Sequence, residues 1–289
     1  MASFKDYYSL TKPGVLYGNA LTAAAGFLLA SRGHIDVWLF IALCVGTTLI
    51  IASACALNNF LDQDIDSKMA RTKKRVIVAG IVPGSHAVVL SIVLGIVGLA
   101  ILLLYTNLLV VYIGIIGFIV YVLFYGMLSK RLSYHGTLVG SISGATPILA
   151  GYCAVGGVID PGAIIVFAIL FLWQMPEFYS ISVYRRKEYE AAGVPVISVI
   201  KGAKKTRTQI YFYTAAFVIA TAMLTAFGYT GYIYLVIMMI LGGYWLYLGA
   251  KGLRVEEKDS DDWARKMFRF SLIILLVFCA LISASSLLP

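Results

Sequence analysis

Asn58, Asp62 and Asp66 recur at every fourth residue through NNFLDQDID, and if a helix runs through them their side chains share one face. Three oxygen-bearing groups stacked this way rest poorly, because the carboxylates repel. They suit a hard divalent cation: Mg²⁺ takes one or two carboxylates and completes its shell with phosphate oxygens. The alternative is a solvated helix end whose acids pair with Lys68, Arg71 and Lys73. Those same cations are what a diphosphate needs, so the two readings overlap. In DSKMARTKKR, Arg71 and Arg75 are spaced for one helical turn and suit forked contacts to phosphate oxygens. A basic run of this kind also anchors a membrane helix, and that reading stands beside the first.

A second constellation lies in WQMPEFYSISVYRRKEYEAAGVPVISVIKG. Glu177 falls near the end of an apolar stretch, where an acid is costly unless it faces a partner or a cavity. Tyr184 and Glu188 follow at i, i+4 spacing with Arg185 and Lys187 beside them. Glu188 could supply a metal carboxylate opposite Asp62 and Asp66; a charged helix end at the membrane interface accounts for the same residues. Lys130 and Arg131 form a third basic point, followed by the small residues Gly136, Gly140, Ser141, Ser143, Gly144 and Ala145. Small residues permit close helix packing, and they also leave room for a flat ligand. His34, His86 and His135 read as solvated loop residues. Cys44, Cys55, Cys153 and Cys279 lack paired spacing and read as small hydrophobes.

The elements that must position these residues are membrane helices. The chain is 61% hydrophobic and 13% charged, which excludes an ordinary soluble domain. Segments of about 20 apolar residues fall at roughly 14–31, 37–59, 86–106, 108–128, 137–156, 162–182, 209–227, 230–250 and 268–287. With the N-terminus cytoplasmic and the C-terminus outside, all but Arg32 of the 23 Lys and Arg residues fall on the inner side. Orientation thus accounts for the net charge of +9, and no nucleic acid partner is expected. No cleavable signal is expected either. The fold class is an all-α polytopic membrane protein, a single domain over 1–289 with two long inner loops at about 60–85 and 183–208. Those loops lie four helices apart, which suggests a weak internal repeat.

NNFLDQDID followed by RTKKR resembles the first Asp-rich motif of the intramembrane (UbiA-type) prenyltransferase superfamily. LTKPGVLYGN, the stretch from SKR to GTLVGSISGATPILAGY, WQMP and EYEAAGVPVISVIKG narrow the resemblance to the protohaem IX farnesyltransferases, over almost the whole chain. The resemblance implies nine transmembrane helices around a central cavity opening to the cytoplasm, in the cell (inner) membrane. It implies Mg²⁺, and transfer of a farnesyl group from farnesyl diphosphate to a vinyl group of haem b, giving haem O. Position by position, Asn58, Asp62 and Asp66 belong to the catalytic metal–diphosphate motif, joined by Glu188. Arg71, Arg75, Lys130 and Arg131 hold diphosphate or haem propionates, and Tyr125, Glu177, Tyr184 and Lys187 complete the substrate site. The partners implied are membrane lipid and the machinery of haem–copper oxidase assembly or haem A synthase. Two positions depart from the pattern: Glu177 stands where the family usually has histidine, and Glu188 where it usually has aspartate. The second keeps the carboxylate with a longer reach; the first requires the macrocycle to be placed differently.

The implied chemistry is electrophilic alkylation, with Mg²⁺ and basic side chains stabilising the departing diphosphate in a dry cavity. Ring faces such as those of Tyr121, Tyr125 and Tyr184 suit the allylic cation. No protein nucleophile is needed, and no Ser/His or Cys/His arrangement suggests one. Two other functions fit the residues: prenylation of another aromatic acceptor such as a quinone precursor, and cation transport at the acidic motif.

Overall fold

The computed structural model describes residues 2–287. Among them, nine helices are long and apolar enough to cross a membrane: Pro13–Ser31, Val37–Leu61, Gly84–Tyr105, Leu108–Leu132, Gly136–Gly156, Pro161–Tyr184, Gly202–Ala226, Tyr232–Gly252 and Glu257–Ser283. Most match the expected spans to within a turn. The seventh and ninth start earlier, because Lys204, Lys205 and Arg207, and likewise the charged run after Glu257, continue the helix beyond its apolar stretch. Those charged turns are good helix formers that a hydropathy window passes over.

Each span packs on its neighbours in sequence, and the ninth returns to the first, closing a ring. The first span also crosses the fifth, and the sixth crosses the ninth. The first crossing is a backbone contact made possible by glycine. A Cβ at Gly26 would stand 2.3 Å from the Ile148 carbonyl oxygen, and one at Gly151 would stand 2.0 Å from that of Ala23. Replacing Gly151 by valine is therefore expected to destabilise the protein by about 3 kcal/mol, at the upper end of overpacking costs. Thermal unfolding in detergent measures this, with Gly243→Ala as the neutral control, since a Cβ there meets nothing within 4 Å.

Polar caps fix the helix ends on the face away from the acids. Asp36 accepts from the backbone of Trp38 and Leu39, and Asp160 accepts from Ala163 N–H and from the Tyr152 hydroxyl. On the face that carries the acids, the two long loops interlock. Ile65 and Met69 from the first pack with Ala192 and Val194 from the second. The fourth span changes pitch on approach to this face: Val120–Ser129 is π-helical, with Lys130 N–H donating to Tyr125 C=O. Such wide turns are rare and frequent at functional sites.

Candidate active site

The second span ends at Leu61, yet its hydrogen-bond ladder carries on. Asp62 N–H donates to Asn58 C=O at 3.0 Å and Asp66 N–H to Asp62 C=O at 2.8 Å. Asn58, Asp62 and Asp66 therefore do share a face, and all three are buried. Asn59 supports that face from behind, donating to the carbonyls of Leu10 and Cys55. Asp64 points outward to Arg131, which grips both of its oxygens at 2.7 Å, holds its carboxyl down to about 2, and also donates to Leu61 C=O.

Basic side chains converge on the buried acids from distant parts of the chain. Lys130 Nζ lies 2.5 Å from Asp62 Oδ2, and Arg131 approaches Asp62 Oδ1 to 3.9 Å. Arg75 pairs with Asp66. Lys12 donates to the Asn58 side-chain oxygen. That lysine is enclosed, so desolvation pulls its ammonium down to about 8, with Arg75 and Lys130 adding to the fall and Cys55 and Asp62 opposing it. Its backbone is left-handed, at φ 52°, which turns the chain into Pro13 at the start of the first span. Sequence reasoning assigned Lys12 no role, although it stands in LTKPG ahead of the first helix.

Lys12, Tyr121, Tyr125 and Tyr189 are each half-buried. The Tyr121 and Tyr125 rings lie 5.7 Å apart, and the second packs on Gly140, where a Cβ would sit 3.1 Å from it. Burial pushes the Tyr189 phenol up, and the charges of Arg71, Lys130 and Arg185 ease it back. Two apolar recesses, of about 290 and 470 Å³, lie elsewhere between spans and contain no ionisable side chain.

One expectation, the helical spacing of Arg71 and Arg75, is corrected by this geometry. Arg71 and Arg75 do not sit on one helix, because the chain after Ser67 runs through successive turns fixed by Thr72 donating to Asp66 C=O; Arg75 reaches an acid and Arg71 stays exposed. Glu188 pairs with Arg185 at 3.0 Å, and among the described residues no three acidic, His or Cys side chains converge as one ligand set. Like-charged carboxylates repel, and each is drawn instead to its nearest cation. Tyr184 turns toward the ninth span, its ring 4.7 Å from the Arg265 guanidinium and 6.1 Å from Phe268. Lys187 is exposed, and Glu177 is buried deeper in the sixth span.

The residues nevertheless fit a divalent cation. Asp62 Oδ1 and Glu188 Oε2 are buried without a hydrogen-bond partner, as is Asn58 Nδ2. An orphaned buried carboxylate oxygen is costly unless something positive meets it. Two such oxygens, one from each of the interlocked loop regions, leave acceptor capacity that a cation could use.

The sequence profile of the UbiA prenyltransferase family matches residues 19–273. The chain is 46% identical over 286 residues, 99% of its length and 96% of the relative's, to "Protoheme IX farnesyltransferase" of Salmonella arizonae. It is 47% identical over 270 residues, 93% and 89% of the two lengths, to "Protoheme IX farnesyltransferase 2" of Chromobacterium violaceum. Among solved structures it is similar to a digeranylgeranylglyceryl phosphate synthase, with TM-score 0.81, 19% identity and 98% of each chain covered. A UbiA homolog from Archaeoglobus fulgidus bound to DMAPP and Mg²⁺ gives TM-score 0.70 at 15% identity, covering 94% of this chain and 99% of that one.

Proposed function

The chain belongs to the UbiA prenyltransferase family, and from that premise we propose that it transfers the farnesyl group of farnesyl diphosphate to a vinyl group of haem b, giving haem O. The observation that carries this reading is the cluster in which buried Asn58, Asp62 and Asp66 meet Lys12, Lys130 and Arg75 in turn, beside relatives at 46–47% identity that bear the name of that enzyme. The face bearing the acids is the cytoplasmic one, because all but one of the basic residues gather there. That orientation puts the N-terminus inside, and the cell (inner) membrane is the compartment. A haem A synthase or the haem–copper oxidase assembly machinery is the downstream partner this reading implies.

Asp62, Asp66 and Glu188, with the side-chain oxygen of Asn58, are the groups that would hold Mg²⁺. Bound there, it supplies Lewis-acid stabilisation of charge on the departing diphosphate. Lys130 and Arg75 contribute to the same end as fixed cations, and Arg71 and Arg131 receive the substrate at the rim. When the allylic C–O bond breaks, its electron pair leaves with diphosphate, and the ring faces of Tyr121 and Tyr125 stabilise the farnesyl cation. The terminal vinyl carbon of haem attacks that cation, and water then captures the positive charge left next to the macrocycle. The spans exclude bulk water until that step, so that the farnesyl cation is not lost as the alcohol.

Mass spectrometry of haems extracted from cells expressing the chain tests the reading. Haem O is expected in wild-type cells and absent when Asp66 is replaced by alanine. In detergent, with labelled farnesyl diphosphate, a product on a phenolic acceptor and none on haem b overturns it.

A further inference from the structure

Glu177 is the one buried carboxyl within a membrane span among the described residues, at 8% exposure. It makes no hydrogen bond and no ion pair there, whereas Asp62, Asp64, Asp66 and Glu188 each hold a cation. An acid at such depth with no protein partner is rare in a membrane span and marks a functional position by default.

Its neighbours on the helix fix where it points. Trp173, one turn earlier, donates to Ser271 C=O on the ninth span at 2.9 Å. Gln174 donates to Ser141 C=O on the fifth at 3.4 Å and fills the space beside Gly144. Glu177 follows these two at i+4 and i+3, so it projects between the fifth and ninth spans, into the middle of the ring. One turn toward the acidic face also brings it level with Gly140, against which Tyr125 packs. Tyr184 lies two turns further along the same line, about 10 Å toward the mouth.

We propose that Glu177 is the base that ends the reaction, which rests on the farnesyl transfer read above. Joining farnesyl to the vinyl carbon leaves a carbocation on the carbon attached to the macrocycle. Water adds its oxygen there, forming the C–O bond of the hydroxyl, and gives up one proton. The Glu177 carboxylate takes that proton, becomes the acid, and returns it to solvent as product leaves. Diphosphate departure needs no such group, so the two halves of the reaction separate at this residue.

The test compares diphosphate released with haem O formed by the purified protein in detergent. Glu177→Gln is expected to form about 10²-fold less haem O per diphosphate released. The remainder emerges as farnesol or as the adduct lighter by one water. Glu177→Ala is expected to show the same deficit, and added formate, a small carboxylate able to enter the space left, to recover part of it. A Gln variant with the wild-type ratio overturns the proposal, including the case in which both products fall together. An Ala variant that formate does not change overturns it too, and this arm stands if the Gln variant fails to fold. Absence of haem O from the wild type would instead refute the farnesyl transfer itself.

Discussion

Replacing Asp62 by asparagine is expected to lower kcat/KM for farnesyl transfer by about 10³-fold while the protein remains folded and monodisperse in detergent. The side chain keeps its volume, so the packing around it survives. What is lost is charge, and the loss is doubled at this position. One oxygen, Oδ2, holds Lys130 at 2.5 Å, and the other, Oδ1, is buried without a hydrogen-bond partner, with Arg131 no nearer than 3.9 Å. In the proposed reaction the first fixes a cation beside the diphosphate, and the second is the oxygen that would meet the metal. Asp64→Asn is the internal control. Asp64 is three-fifths exposed and engaged by Arg131 alone, and an exposed pair is worth at most about 1 kcal/mol. It should therefore cost about tenfold or less in activity. Steady-state assays of both variants decide the matter; an Asp62→Asn enzyme within tenfold of wild type would remove Asp62 from the diphosphate site.

The contrast between these two aspartates also marks how far the sequence could be read. Spans emerge from apolar runs because a bilayer demands about 20 such residues, and the basic residues divide the loops between two faces. The shared face of Asn58, Asp62 and Asp66 is equally local, a matter of helical period. Pairing is not local. Lys130 reaches Asp62 across 68 positions and Lys12 reaches Asn58 across 46, so neither contact leaves a trace in spacing. The same reason hid the turn-rich path from Ser67 to Val82, where a helical reading of Arg71 and Arg75 failed. Those turns are held by Thr72 on a carbonyl and by Met69 packing on the other loop. The wide turns of Val120–Ser129 were invisible as well, since hydropathy cannot distinguish two helical pitches of similar composition. Yet these turns carry Tyr121, Tyr125 and the approach to Lys130.

Lys130 is where that hidden geometry has its largest consequence. Its helix arrives at the acidic face through the π-helical stretch, and its ammonium lands on Asp62 with only 16% of the side chain exposed. It neutralises a buried carboxylate; in the proposed reaction the same ammonium would share its charge with the leaving diphosphate. Lys130→Gln should therefore show two separable defects. Catalysis falls by about 10²–10³-fold in kcat/KM, the usual cost of removing one group that stabilises transition-state charge. Stability falls too, because breaking a buried pair on one side costs about 3–5 kcal/mol. The double variant Lys130→Gln with Asp62→Asn removes the uncompensated charge and should recover most of the lost melting temperature without recovering activity. Lys130→Arg keeps the positive charge and should retain more activity than the glutamine variant, but a planar fork cannot occupy the place of a point charge, so wild-type rates are not expected. If the double variant melts as low as Lys130→Gln, the pair is not a charge-compensating one. If Lys130→Gln turns over at the wild-type rate, the diphosphate is bound by other cations of the chain.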